Sequence, residues 1–108
     1  MMATTFQQKK TPETDRIEEV LGRHFTQHPP DYPPTAYRYN SASIRVRVVD
    51  ESFRGKSRSE REKMALPVVR TLPEETQEDI TILLLLSPED LERSPMNLEF
   101  EAPSPSLL

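Results

Sequence analysis

The elements legible in this chain run α-β-β-α-α-β-α. That order predicts an α+β domain, a three-stranded mixed sheet with helices on one face. Three observations carry it. Ile17, Val20, Leu21, His24 and Phe25 recur at helical spacing. Ile44-Arg45-Val46-Arg47-Val48 alternates as a half-buried strand does. Between that strand and the apolar run at residues 80–86 lie helical signals long enough for a crossover. A strand–helix–strand crossover is right-handed and makes its strands parallel.

Each element has a local cause. Residues 1–11 are polar and are expected to be disordered. Pro12 suits the first turn of a helix, and Glu13 and Asp15 suit its positive end. The helix is expected over 12–27, with Arg16, Glu18, Glu19 and Arg23 on its polar side. His28-Pro29-Pro30-Asp31-Tyr32-Pro33-Pro34 is an extended connector, because each proline lacks a donor and restricts its neighbour. Residues 35–39 read as an edge strand, Asn40-Ser41-Ala42 as a turn, and 43–49 as the clearest strand. Residues 50–56 are a loop in which Gly55 takes a conformation costly for other residues.

Ser59-Glu60-Arg61-Glu62 reads as a capping box, starting a helix with Met64, Ala65, Val68, Val69 and Leu72 turned inward. A kink is expected at Pro67. Residues 73–78 form a short acidic helical turn. Residues 80–86, apolar on both faces, suit an inner strand covered by helices. Ser87 and Pro88 open a last helical turn. The domain is placed at 12–94, and 95–108 as a Pro/Ser-rich flexible tail in which 97–101 is at most a brief strand.

Composition narrows the function. With 108 residues, 34% of them hydrophobic, the chain makes one small domain. It has no cysteine, which excludes disulfide staples, thiolate catalysis and a cysteine-held metal of its own. No apolar run approaches the length of a membrane span, and the expected location is cytoplasmic. The net charge of −4 disfavours whole-surface nucleic-acid binding.

Phe53-Arg54-Gly55-Lys56, directly after the alternating strand and followed by Arg61, resembles the signature turn of the BolA-like family. The resemblance covers about residues 13–94. It implies the same α-β-β-α-α-β-α order, related to the type II KH fold. It also implies association with a monothiol glutaredoxin around a shared [2Fe–2S] cluster. The family's cluster-ligating histidine is replaced by Glu62, and the loop Tyr39-Asn40-Ser41-Ala42-Ser43 holds no cysteine or histidine. A carboxylate suits such a cluster poorly. The resemblance therefore implies a divergent member with the fold and without the metal site.

His24 and His28, the only imidazoles, stand four residues apart, as metal-clasping histidines on a helix do. No third ligand accompanies them, and a boundary residue plus a helix C-cap explains them better. Arg54, Lys56, Arg58, Arg61 and Lys63 make a basic cluster at a helix start, to which Arg45 and Arg47 add from the outer sheet face. The competing explanation is a solvated helix face with ion pairs of small worth. A KH-type Gly-x-x-Gly loop is absent from Arg70-Thr71-Leu72-Pro73-Glu74-Glu75. No serine has a partner base, so no catalytic, cofactor or metal residues are assigned. The expected function is a non-enzymatic BolA-like regulatory, protein-interaction module of stress-response type, whose partner is a monothiol glutaredoxin or another iron–sulfur or redox-regulation protein. Phe53, Arg54, Gly55, Lys56, Arg58, Arg61 and Lys63 form its partner- or anion-binding surface. The alternatives are a glutaredoxin partner with a shared cluster held through His24 or a carboxylate, and a weak nucleic-acid binder using the same turn and helix start.

Overall fold

Seven elements follow one another in the computed structural model, which describes residues 8–106. Helix α1 is Pro12–His24, strands β1 and β2 are Thr35–Asn40 and Ser43–Val49, and helices α2 and α3 are Arg58–Val69 and Glu74–Asp79. Strand β3 is Ile80–Leu86 and helix α4 is Pro95–Glu101. Single 3₁₀ turns stand at Glu51–Phe53 and Pro88–Asp90. The sheet has the order β1-β2-β3. β1 and β2 are antiparallel, with Ala36 opposite Val46, and β2 and β3 are parallel, with Val46 opposite Leu83. The mixed sheet and its parallel crossover are as the alternation and apolar run predicted.

The core lies on one side of this sheet. Ile44, Val46 and Val48 are buried there with Ile17, Leu21, Phe25, Phe53, Ala65 and Val69. Removing such an aliphatic side chain from water contributes about 1.5–3 kcal/mol. α1 begins with a reciprocal cap. The Thr11 hydroxyl accepts from the Thr14 amide at 3.3 Å, and the Thr14 hydroxyl accepts from the Thr11 amide at 2.9 Å. The Glu18 carboxylate then accepts from the Ala36 amide at 2.9 Å, tying α1 to β1.

Several expectations need correction. α1 ends at His24, with Phe25 extended as its C-cap, so His28 is off the helix and bonds Pro29 O instead. α2 starts two residues early, on Ser57 and Glu60 rather than Ser59 and Glu62. Ser57 Oγ accepts from the Glu60 amide, and Glu60 Oε1 accepts from the Ser57 amide at 2.7 Å. Both registers satisfy the capping pattern, and Gly55 turns the chain soon enough for the first. β2, not β3, is the inner strand.

The tail holds the largest departure. Residues 95–101 are helical, begun by Ser94 Oγ accepting from the Asn97 amide and by Pro95 in the first turn. α4 packs on the sheet face opposite the core, so helices cover both faces rather than one. Phe100 is buried against Tyr37, ring centroids 4.8 Å apart, and the Tyr37 hydroxyl donates to Phe100 O at 2.6 Å. Arg45 donates to Glu99 at 2.9 Å, and Arg47 donates to Asn97 and Glu101 at 2.7 and 2.8 Å. The two arginines thus anchor α4 and do not join the basic cluster. The ordered unit also extends below residue 12, for Lys9 and Arg38 bond each other's backbone at 3.2 and 2.7 Å. The remainder of the expected disordered start, residues 1–7, and residues 107–108 of the tail lie outside the described residues.

Candidate interaction groove beside strand β3

The predicted surface is built from its turn. Asp50, almost fully buried, accepts from the Gln27 amide at 2.9 Å and from the Ser52 amide at 3.2 Å. This fixes the exit from β2 and starts the 3₁₀ turn. Phe53 then drops into the core, its ring 5.1 Å from that of Phe25. The Lys56 amide closes the turn on Phe53 O at 3.1 Å, across Gly55 at φ +75°. Phe53 anchors the surface from beneath and has no exposed area to offer a partner.

Arg61 is the residue on which the site turns. Its Nε donates to Lys56 O at 3.0 Å, and its Nη1 donates to Leu85 O at 3.0 Å and to Asp90 at 2.8 Å. One guanidinium thereby joins the turn, β3 and the segment after β3. Burial opposes the charged form of Asp90, but the Ser87 amide and hydroxyl together with Arg61 hold its carboxyl below the ordinary range. Arg54 is exposed and doubly paired, to Glu51 at 2.8 and 3.0 Å and to Glu89 at 2.6 Å. The Glu51 carboxylate is the main cause that raises the Arg54 pKa. Arg58 is extended into solvent and only 3.5 Å from Glu62.

These residues rim a groove of about 690 Å³ along β3. Lys56, Arg58, Arg61 and Glu62 form one wall. Asp90, Arg93, Ser94 and Met96 form the other, and the apolar strand is the floor. The structure therefore brings Lys56, Arg58 and Arg61 together, shaped by Gly55. Arg54 and Lys63, both exposed, are not among the groove's lining residues. Arg93 and Met96 were not singled out from sequence, because nothing local marks a segment that becomes a wall only when α4 docks.

Glu62 and Thr81 share the groove, and Thr81 Oγ1 meets Ser43 Oγ at the end of the β1–β2 turn. Glu62 and Ser43, which stand at the positions that the resemblance associates with metal, offer only oxygen donors. His24 is elsewhere, beside Val20, Pro67 and Val68. Among the described residues no group of three or more histidine, cysteine, aspartate or glutamate side chains can hold a metal ion. None of their helices is long and apolar enough to cross a membrane. No protein-family model, curated protein or solved structure significantly matches the chain.

Proposed function

We propose that this chain is a BolA-like regulatory module that acts by protein contact and catalyses no reaction, with a monothiol glutaredoxin as the partner class. The observation that carries this reading is the placement of Arg61. The turn Phe53-Arg54-Gly55-Lys56 delivers the matching arginine to the start of a crossover helix, beside a parallel third strand. The reading uses the groove wall of Lys56, Arg58 and Arg61, with Arg54 at its outer edge.

An iron–sulfur cluster does not fit the residues present. Glu62, Ser43 and Thr81 supply oxygen donors, whereas these clusters favour thiolate or imidazole. The contact is therefore between proteins only. The ion pairs of Arg54, Arg58 and Arg61 also favour a protein partner over nucleic acid, since paired cations release few counterions from phosphates.

The test is capture of a purified monothiol glutaredoxin by the full chain, followed by iron loading of the mixture. Capture without a visible-region circular dichroism signal is expected. Replacing Arg54, Lys56 and Arg58 by glutamate should abolish it. Capture unaffected by that triple replacement, or no capture by the native chain, removes the reading.

A further inference from the structure

We infer that the open edge of β3 takes up an acidic, extended peptide as a fourth strand. This names the partner chemistry of the groove and rests on the contact reading above. The two edges of the sheet differ. The outer side of β1 is partly occupied, because Lys9 bridges to Arg38. Beyond β3 no further strand stands among the described residues.

Two hydrogen bonds fix which backbone groups face outward. Leu86 O accepts from the Asp50 amide, so it points toward β2. Leu85 O accepts from Arg61, so it points away from β2. Because strand groups alternate, the amide and carbonyl of Leu83 also point outward into the groove. Arg61 closes one end of this edge by occupying Leu85 O. Residues 81–84 remain as the template, the arrangement by which an exposed strand captures an extended peptide.

Charge selects the occupant. The lining carries four cations, Lys56, Arg58, Arg61 and Arg93, against Glu62 and Asp90, in a chain of net charge −4. Arg61 is committed to Asp90, and Arg58 approaches Glu62 at 3.5 Å with 92% of its side chain exposed. Arg93 is exposed and has no ion pair among the described residues. A second copy of the chain is disfavoured, because pairing β3 with β3 about a two-fold axis brings two such basic rims together. An added strand alternates its side chains between the two walls. Acids on one side meet Lys56 and Arg58, and apolar residues on the other meet Met96, which is 42% exposed.

The experiment is titration of the isotope-labelled full chain with a capped peptide of alternating glutamate and valine, followed by amide chemical shifts. Saturable shifts centred on Ile82, Leu83 and Leu84 are expected. The same peptide N-methylated along its length keeps the charge but loses the donors, and should bind at least about tenfold more weakly. A lysine–valine peptide should bind as weakly, as should the acidic peptide to the K56E/R58E variant. Three outcomes overturn the inference: shifts absent from β3, equal binding of the N-methylated peptide, or concentration-dependent shifts of β3 without any peptide, which would show self-pairing. If glutaredoxin capture is lost in the triple glutamate variant but the acidic peptide leaves β3 untouched, only the edge inference fails. If the peptide binds β3 and glutaredoxin is not captured, only the glutaredoxin reading fails.

Discussion

Arg61 and Asp90 meet at 2.8 Å, 29 residues apart in the chain, and the same guanidinium also reaches Leu85 O. A residue that sequence places in a partner surface is therefore also a structural clasp between α2 and the end of β3.

Removing that clasp should be costly. In Arg61→Ala a strand-edge carbonyl loses its side-chain donor and a half-buried carboxylate loses its ion pair, keeping only the Ser87 amide and hydroxyl. A loss of about 1–3 kcal/mol is expected, since unmade bonds to partly buried groups cost more than made ones contribute. Arg61→Lys keeps the charge without the planar fork and should fall between the two. Urea midpoints followed by far-ultraviolet circular dichroism check this, and an unchanged Arg61→Ala midpoint would contradict the role.

Gly55 should not tolerate a side chain, although a Cβ there meets no atom within 4 Å. The obstacle is the backbone at φ +75°, where an L-residue costs about 1–2 kcal/mol. Gly55→Ala should lower stability by that amount in the same denaturation assay. Gly22→Ala, also in open space but inside α1 and at negative φ, should instead be neutral or slightly stabilising.

The docked tail makes a separate prediction. A chain ending at Ser94 loses the Phe100 ring and the carboxylates facing Arg45 and Arg47. It should lose about 3–5 kcal/mol, the range for deleting a buried aromatic. Phe100→Ala in the full chain should show most of that loss. Thermal melts of the three proteins decide it, and equal melting temperatures would mean that α4 does not hold the outer face.

Acid should loosen the same contacts. The Ser104 amide, Arg45 and the Ser104 hydroxyl hold the Glu99 carboxyl low, and the Ser57 amide and hydroxyl do so for Glu60. Asp90 is held low as well. Groups whose pKa is depressed on folding stabilise above their unfolded value, and that contribution disappears as pH falls through the folded one. Stability should thus be flat near neutrality and decline below about pH 4. On the alkaline side, burial raises the Tyr37 hydroxyl, which donates to Phe100 O. Its contribution is full below about pH 10 and is lost as pH rises through the higher folded value. Urea midpoints across pH check both limbs. A midpoint that rises on acidification would refute the carboxylate account.

The sequence by itself determined the sheet and its crossover. Alternation along β2, the helical stripe of Ile17, Leu21 and Phe25, and the turn with Gly55 are local patterns. They have one low-energy solution each, whereas the register of β2 on β3, which slips by one residue between Ile44 and Arg45, is not local. Competing local solutions defeated it elsewhere: Ser57 and Ser59 both fit the capping pattern, and α1 stops at His24 before the prolines. The place of residues 95–101 was decided only by tertiary structure. Their proline and serine content resembles a loose tail, and their helix is too short to persist alone. It forms because Tyr37, Arg45 and Arg47, far away in sequence, present a ring, a hydroxyl donor and two guanidinium groups that this one segment can satisfy. The groove beside β3 has the same origin, since one of its walls exists only once that docking has occurred.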